Sequence, residues 1–326
     1  MDIQTDKYGR KIFRLKTNHA VVNTLRRTIF QDVPSYAFDP AQIVFQINTT
    51  IYHNDYMRKR ISNIPVFGVK NDYKQFELYL KDNYDWVINH IKPEEKPVNA
   101  ADKDPVYDNI DVDTFEADTD THVLTMYCHK KHDSKTDEFV NVTTDDCEFT
   151  LNNKKVSNPY QNPMLLCKLR FGEEIKFSAT SKYSIPYESP IWNVMANCFF
   201  VEKSDEEYDF YIIKREIDEE DVLKRARTVI IEKIKNILEI LKSKEEISTQ
   251  GELKIENDKF TIPALLTYYL QDHPEIEFCG YKAEHLLADT SVIYYRARDG
   301  SDMEKILKEV SQTIIRVLES KININK

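Results

Sequence analysis

A chain of 326 residues is long enough for two domains or for one domain with a large insertion, and its 41% hydrophobic fraction supports a real core. A net charge of -10, from 55 acidic against 45 basic residues, argues against a broad non-specific nucleic-acid footprint, though local basic patches remain. With only 6 glycines and neither a G-x-x-x-x-G-K nor a G-x-G-x-x-G pattern, no backbone cradle for a nucleotide is expected.

Ile12 to Lys16 alternates as a short strand. Val21, Val22, Leu25, Thr28 and Ile29 then recur at helical spacing, with Thr17 or Asn18 in place to cap the first amides. Pro34 cannot continue that helix and pushes Val33 toward extended geometry, so the chain leaves as a strand. A longer strand is expected over Ala41 to Ile51, ending at His53-Asn54-Asp55, and a basic helical turn over Tyr56 to Ile64, stopped by Pro65. The basic turn reads either as a solvated face or as a docking surface for an acidic partner. Lys70 to Asn158 is polar and carries an acidic run over 101–121, read as a mobile loop; strands are expected at His122 to Cys128 and Glu148 to Leu151. The whole segment reads as an inserted β-rich subdomain.

Order returns at Met164 to Tyr183, two strands around a turn at Phe171-Gly172, and further strands follow at Trp192 to Val201 and Tyr208 to Lys214. Asp218 opens the longest helix, whose Val222, Leu223, Ala226, Val229, Ile230, Ile234, Ile237, Leu238 and Leu241 keep one apolar face. A charged connector leads to a strand at Glu252 to Glu256, and the chain closes on a helix over Asp302 to Lys321 with Met303, Ile306, Leu307, Val310, Ile314, Val317 and Leu318 on one side.

Shifting the numbering by about 240 aligns the opening helix with a second copy over Ile262 to His285. Leu25 then falls on Leu265, Asp32 on Asp272, Pro34 on Pro274 and Phe38 on Phe278. A short helix that hides one stripe needs a partner, and a duplicated one suggests two copies packed about a pseudo-twofold axis. Each half thus reads strand, short helix, strands, long helix, and only the first carries the insertion.

These residues resemble the alpha-type assembly subunits of multisubunit DNA-directed RNA polymerase, fused in one polypeptide as in large nucleocytoplasmic DNA viruses. The larger alpha-like subunit has an N-x-L-R-R helix, matched by Asn23, Leu25, Arg26 and Arg27, and a following proline, matched by Pro34. Its next pattern, N-x-S-x-x-x-D-E followed by H-R-x-x-x-I-P, is matched in spacing by Asn48, Thr50, Asn54, Asp55, Lys59, Arg60, Ile64 and Pro65. Gly172, Glu174, Ile175 and Trp192 echo a later strand and tryptophan, with Ile191 and Val194 in place of the usual lysine and proline. The smaller alpha-like subunit is echoed by Thr261 to Leu266, by Phe278-Cys279-Gly280-Tyr281 and by His285; Pro263 and Leu286 depart from its pattern.

The resemblance implies an α+β chain holding the alpha-like dimerisation fold twice, as an intramolecular pseudo-dimer, with the β-rich subdomain inserted in the first half. The boundaries implied are 1–68 and 160–244 for the larger half, 69–159 for the insertion, 245–251 for a linker and 252–326 for the smaller half. It implies a non-catalytic assembly platform that docks the two largest polymerase subunits, the second-largest most directly, and small zinc-ribbon-type subunits. DNA would be reached only through the complex, and no membrane. The expected docking residues are Asn23, Arg26, Arg27, Asn48, Thr50, Asp55, Arg60 and Pro65. Leu25, Ile29, Ile230, Ile234, Leu241, Leu265, Leu266, Tyr269, Val310, Ile314 and Val317 are expected between the halves.

Neighbouring helix positions point about 100° apart. Arg26 and Arg27 therefore cannot share a target: one is expected to reach a partner carboxylate or backbone and the other to support it locally. The five cysteines, Cys128, Cys147, Cys167, Cys198 and Cys279, are scattered, which points to a reducing compartment. Cys128, His129, His132 and Cys147 fit no zinc framework, and a strand-edge cysteine beside solvated histidines is expected; no metal or cofactor is expected. No apolar run reaches the length of a membrane span and the charged start is no signal peptide, so an intracellular protein is expected, in the virion and host cytoplasm if viral. The competing readings are a metal-dependent enzyme centred on the insertion and a stand-alone dimerisation module.

Overall fold

The computed structural model describes residues 2–8, 10–92, 122–133, 139–242, 248–285 and 287–322. The acidic run 101–121 lies outside them, as do most of the charged connector and the side chain of Leu241.

In the amino-terminal part, β1 (Asp2–Thr5) and β2 (Lys11–Lys16) precede α1 (His19–Gln31). Of the two capping candidates the structure uses Asn18, whose side chain accepts from the Val21 amide, and Pro34 ends the helix as its missing N–H requires. From there β3 (Ser35–Asn48) runs into a segment containing α2 (Asn54–Ser62), α3 (Tyr73–Asp82), α4 (Tyr84–Asn89), β4 (Leu124–Lys131), β5 (Val140–Thr143), β6 (Cys147–Leu151), β7 (Lys154–Val156), β8 (Leu165–Leu169) and β9 (Glu174–Ser184). The hairpin of β10 (Met195–Ser204) and β11 (Glu207–Lys214) returns the chain to β2, and α5 (Glu219–Lys242) follows. The carboxy-terminal part is β12 (Gln250–Ile255), α6 (Thr261–Gln271), β13 (Ile276–Ala283), β14 (Ser291–Ala297) and α7 (Met303–Lys321).

Strand order relates the two parts. The first sheet runs β1-β2-β11-β10 and the last β12-β14-β13, so β1 apart, strand-before-helix pairs with the second strand of the hairpin in both. Helices α1 and α7 each pack on both α5 and α6, and their apolar stripes merge with the inner faces of the two sheets into one core. Leu25, Ile29, Ile230, Leu265, Leu266 and Ile314 are all buried there. Each such aliphatic side chain withdrawn from water contributes roughly 1.5–3 kcal/mol, which explains why stripes spaced every three to four residues were visible in the sequence.

A second core sits on the five-stranded sheet β3-β9-β4-β6-β7 and is roofed by α2 and the two-stranded sheet β5-β8. Its residues include Tyr36, Phe38, Met57 and Ile61 on one side of the 69–159 segment and Leu166, Phe177 and Tyr183 on the other. The insertion is therefore drawn wider than 69–159: β3 and β9 pair with each other and leave the first sheet altogether. For the same reason Phe38 and Phe278 are not equivalent. Phe38 is fully buried in the second core, whereas Phe278 is exposed on β13, whose counterpart by strand order is β10.

The segment is also less purely β than its polarity suggested. Asp72 caps α3 by accepting from the Gln75 amide, and Phe76, Leu80, Trp86, Val87 and Ile88 pack with Ile185 and with Val229 of α5. Among the described residues no helix is long and apolar enough to cross a membrane.

Candidate subunit-docking surfaces

On α1, Asn23, Arg26 and Arg27 are half-buried. Asn23 Oδ1 accepts from Arg26 Nε and Nη2 at 3.2 and 2.9 Å, an i,i+3 clamp that holds the guanidinium on the helix face. Arg27 turns the other way. Its Nε donates to Thr261 Oγ1 at 2.8 Å and its guanidinium lies 5.8 Å from the Phe260 ring, so it ties α1 to the start of α6 within the chain. Beside it, Asn18 Nδ2 donates to the Tyr269 hydroxyl at 2.9 Å. Of the two arginines, Arg26 thus bonds to Asn23 on its own helix and Arg27 bonds across to α6.

The stretch from Asn48 to Pro65 lies on the second core. Asn48 shapes the turn after β3: its Nδ2 donates to the Tyr52 carbonyl and to Asn54 Oδ1, and its Oδ1 accepts from the Thr50 hydroxyl at 2.7 Å. Pro65 is held by its carbonyl, which accepts from the Tyr160 hydroxyl, and by a bridge to Ala37. Asn48, Thr50 and Pro65 therefore organise this surface from inside. What they present is Ile51 and Tyr56, both exposed, with Tyr52 stacked on Tyr56 at 5.3 Å and Lys59 and Arg60 on the outer side of α2. Arg60 Nη2 reaches the Leu165 carbonyl at 3.1 Å, and Asp55 is taken up by Arg58 at 2.9 Å. The exposure of Ile51, in the bend between β3 and α2, has no periodicity to betray it in the sequence, whereas Tyr56 opens the stretch already read there as a possible docking surface.

Of the residues expected between the halves, Leu25, Ile29, Ile230, Ile234, Leu265, Leu266, Val310 and Ile314 are buried in the one core, and Tyr269 and Val317 pack against it partly buried. For Leu241 only the helical backbone is described.

The thiol and imidazole group expected at a strand edge is placed differently. Because β4 is paired on one side with β6 and on the other with β9, Cys128 is central and fully buried, directly across from Cys147. His132 is buried as well, while His129 is half-exposed and bonds Glu174 at 2.8 Å. Hydrogen bonding with Cys128 and then burial push the Cys147 thiol well up, and burial pushes Cys167 up to about 12. Such thiols stay protonated at neutral pH, whereas metal ligation and nucleophilic attack need the thiolate. Among the described residues no group of three or more His, Cys, Asp or Glu side chains is placed to hold a metal ion.

Residues 250–323, which are β12 to the end of α7, match the RNA polymerase Rpb3/Rpb11 dimerisation domain. The carboxy-terminal part is thus similar to an Rpb3/Rpb11-type dimerisation domain. Over its length the chain is also similar to a protein of Acanthamoeba polyphaga mimivirus described as a DNA directed RNA polymerase subunit, with 23% identity across 97% of this chain and 88% of the other. The likeness therefore extends beyond the matched domain, through the first sheet and the five-stranded sheet. Both findings support a subunit of a viral DNA-directed RNA polymerase.

Proposed function

We propose that this chain is a non-catalytic assembly platform of a DNA-directed RNA polymerase, an intramolecular pseudo-dimer on which the two largest subunits meet. The observation that carries this reading is the single core to which α1 and α5 of one part and α6 and α7 of the other all contribute, under two sheets of matching strand order. Leu25, Ile29, Ile230, Ile234, Leu265, Leu266, Tyr269, Val310, Ile314 and Val317 form the contact between the halves. Joining them in one chain replaces a bimolecular encounter by a local one, with an effective concentration on the order of millimolar for a short linker.

Docking is assigned to two surfaces. One is Asn23 with Arg26 on α1, where a guanidinium suits a carboxylate or backbone carbonyls. The other is the rim of the second core, with Arg60, Lys59, Ile51 and Tyr56 outward and Asn48, Thr50, Asp55 and Pro65 setting its shape. The second-largest subunit is the most direct partner, and small zinc-ribbon-type subunits join the same assembly in the virion and the cytoplasm of the infected cell.

The test is co-expression of the tagged full chain with the two largest subunits. Replacing Asn23 and Arg26 by alanine, or Ile51 and Tyr56 by aspartate, is expected to leave a folded chain that recovers at least tenfold less of a large subunit. Undiminished recovery with both pairs replaced would count against the platform, as would isolation of the native chain from infected cells without polymerase subunits.

A further inference from the structure

Three buried ionisable groups from distant parts of the chain meet at the end of α1. Asp32, the last residue capping α1, is 1% exposed; its Oδ2 lies 3.0 Å from Lys233 Nζ of α5 and its Oδ1 2.6 Å from His90 Nε2. His90 follows α4 in a left-handed conformation, with φ 53°, which turns its ring back under the helix. The other ring nitrogen, Nδ1, is 3.0 Å from the backbone carbonyl of Asn257, in the turn between β12 and α6. Tyr187 stacks on the ring at 3.8 Å, donates from its amide to the Gln31 carbonyl, and donates from its hydroxyl to Asp289 at 2.8 Å.

The chemistry of the two partners fixes the state of the ring. A carbonyl oxygen only accepts, so Nδ1 must carry a proton. Burial alone would push the Asp32 carboxyl up, but Lys233 and His90 together hold it below the usual carboxylate range, so it is ionised and also only accepts. Nε2 must therefore carry a proton too. The charged and titratable groups around the ring are Asp32 from α1, Lys233 from α5, Tyr187 after β9, and Asp258 and Asp289 of the carboxy-terminal part, which bear on Tyr187. The extra cation beside Lys233 is tolerated because the ring charge is shared between a carboxylate and the Asn257 carbonyl.

We infer that His90 is held as an imidazolium and works as a proton-dependent latch, joining the amino-terminal helices to the turn between β12 and α6 of the carboxy-terminal part. Its ligand is the proton. A neutral ring has one lone pair, which would face either the Asp32 carboxylate or the Asn257 carbonyl, and one of the two bonds is lost with repulsion in its place. The doubly protonated ring thus closes the latch and the neutral ring opens it.

The experiment is nitrogen NMR of the full chain labelled at its 8 histidines, titrated from pH 6 to 9, with His90 assigned by its absence in His90→Gln. Both ring nitrogens of His90 are expected to be protonated at pH 7, and loss of one proton at higher pH is expected to coincide with faster amide exchange over residues 255 to 265. A lone-pair nitrogen on His90 at pH 7, or exchange in that turn that ignores the titration, would overturn the latch. Should His90→Gln fail to fold, Tyr187→Leu supplies the assignment instead, by removing the ring-current shift on His90 while leaving both of its bonds.

Discussion

Asn18 joins two tasks in one side chain: Oδ1 accepts from the Val21 amide at 3.0 Å to start α1, while Nδ2 donates to the Tyr269 hydroxyl of α6 at 2.9 Å. Asn18→Ala removes both and is expected to cost about 1–2 kcal/mol, the upper range for a lost cap. Tyr269→Phe removes only the second, at about 1 kcal/mol. In a double-mutant cycle by urea denaturation the two should couple by roughly 0.5–1 kcal/mol. Strict additivity would mean that the bond carries nothing.

The two arginines of α1 should behave differently. Arg27→Ala severs the bond to Thr261 and is expected to destabilise the chain by about 1–2 kcal/mol. Arg26→Ala, whose bonds run only to Asn23 on its own helix, should change stability by less than about 0.5 kcal/mol. Chemical denaturation of the two single variants decides this without any partner present, which separates the internal role of Arg27 from the docking role proposed for Arg26.

Leu265 is fully buried where α6 meets α1. Leu265→Ala should lose about 2–5 kcal/mol through transfer and cavity terms. Because the core is shared, the loss should appear equally in both parts of the chain. Unfolding of the variant, followed by hydrogen exchange in α1 and in α7, should give coincident transitions; separate midpoints would show two independently stable units.

Glu216, between β11 and α5, supplies a pH signature. Burial pushes its carboxyl from 4.5 up to about 7, against the pull of Arg215 and the Gly68 amide. Below pH 4.5 both folded and unfolded states hold the proton and the group is neutral in effect. Between 4.5 and 7 the unfolded state releases it first, so stability falls, and above 7 the penalty is constant, on the order of 1–3 kcal/mol after allowing for partial exposure. Glu216→Gln should flatten that part of the stability curve, measured as denaturation midpoints at pH 5 and pH 8.

What could be read in advance followed the range of the interactions involved. The stripes of α1, α5 and α7 repeat within each helix, so Leu25, Ile230 and Ile314 announced their burial locally. The pair α3 and α4 was lost because Phe76, Leu80 and Val87 span two short helices broken at Asn83 and sit in a polar stretch. The destination of β3 could not be foreseen, since its partner β9 lies more than a hundred residues on and either sheet accepts the same alternation. The meeting of Asp32, His90 and Lys233 with the carbonyl of Asn257 left no trace in spacing, being made only when four remote segments converge. Which of Arg26 and Arg27 turns toward α6 could not be read, because nothing local marks Thr261 as the acceptor of Arg27.

Under a strict twofold axis every contact would occur twice. The register that sets Leu25 on Leu265 sets Ile29 on Tyr269, Thr267 on Arg27 and Val21 on Thr261, so neither the Asn18 to Tyr269 bond nor the Arg27 to Thr261 bond has a mirror image. Two amino-terminal parts brought face to face would set Asn18 against isoleucine and Arg27 against valine, stranding a buried amide and a guanidinium. Like therefore pairs poorly with like at this seam, which disfavours an association of two chains through their amino-terminal parts.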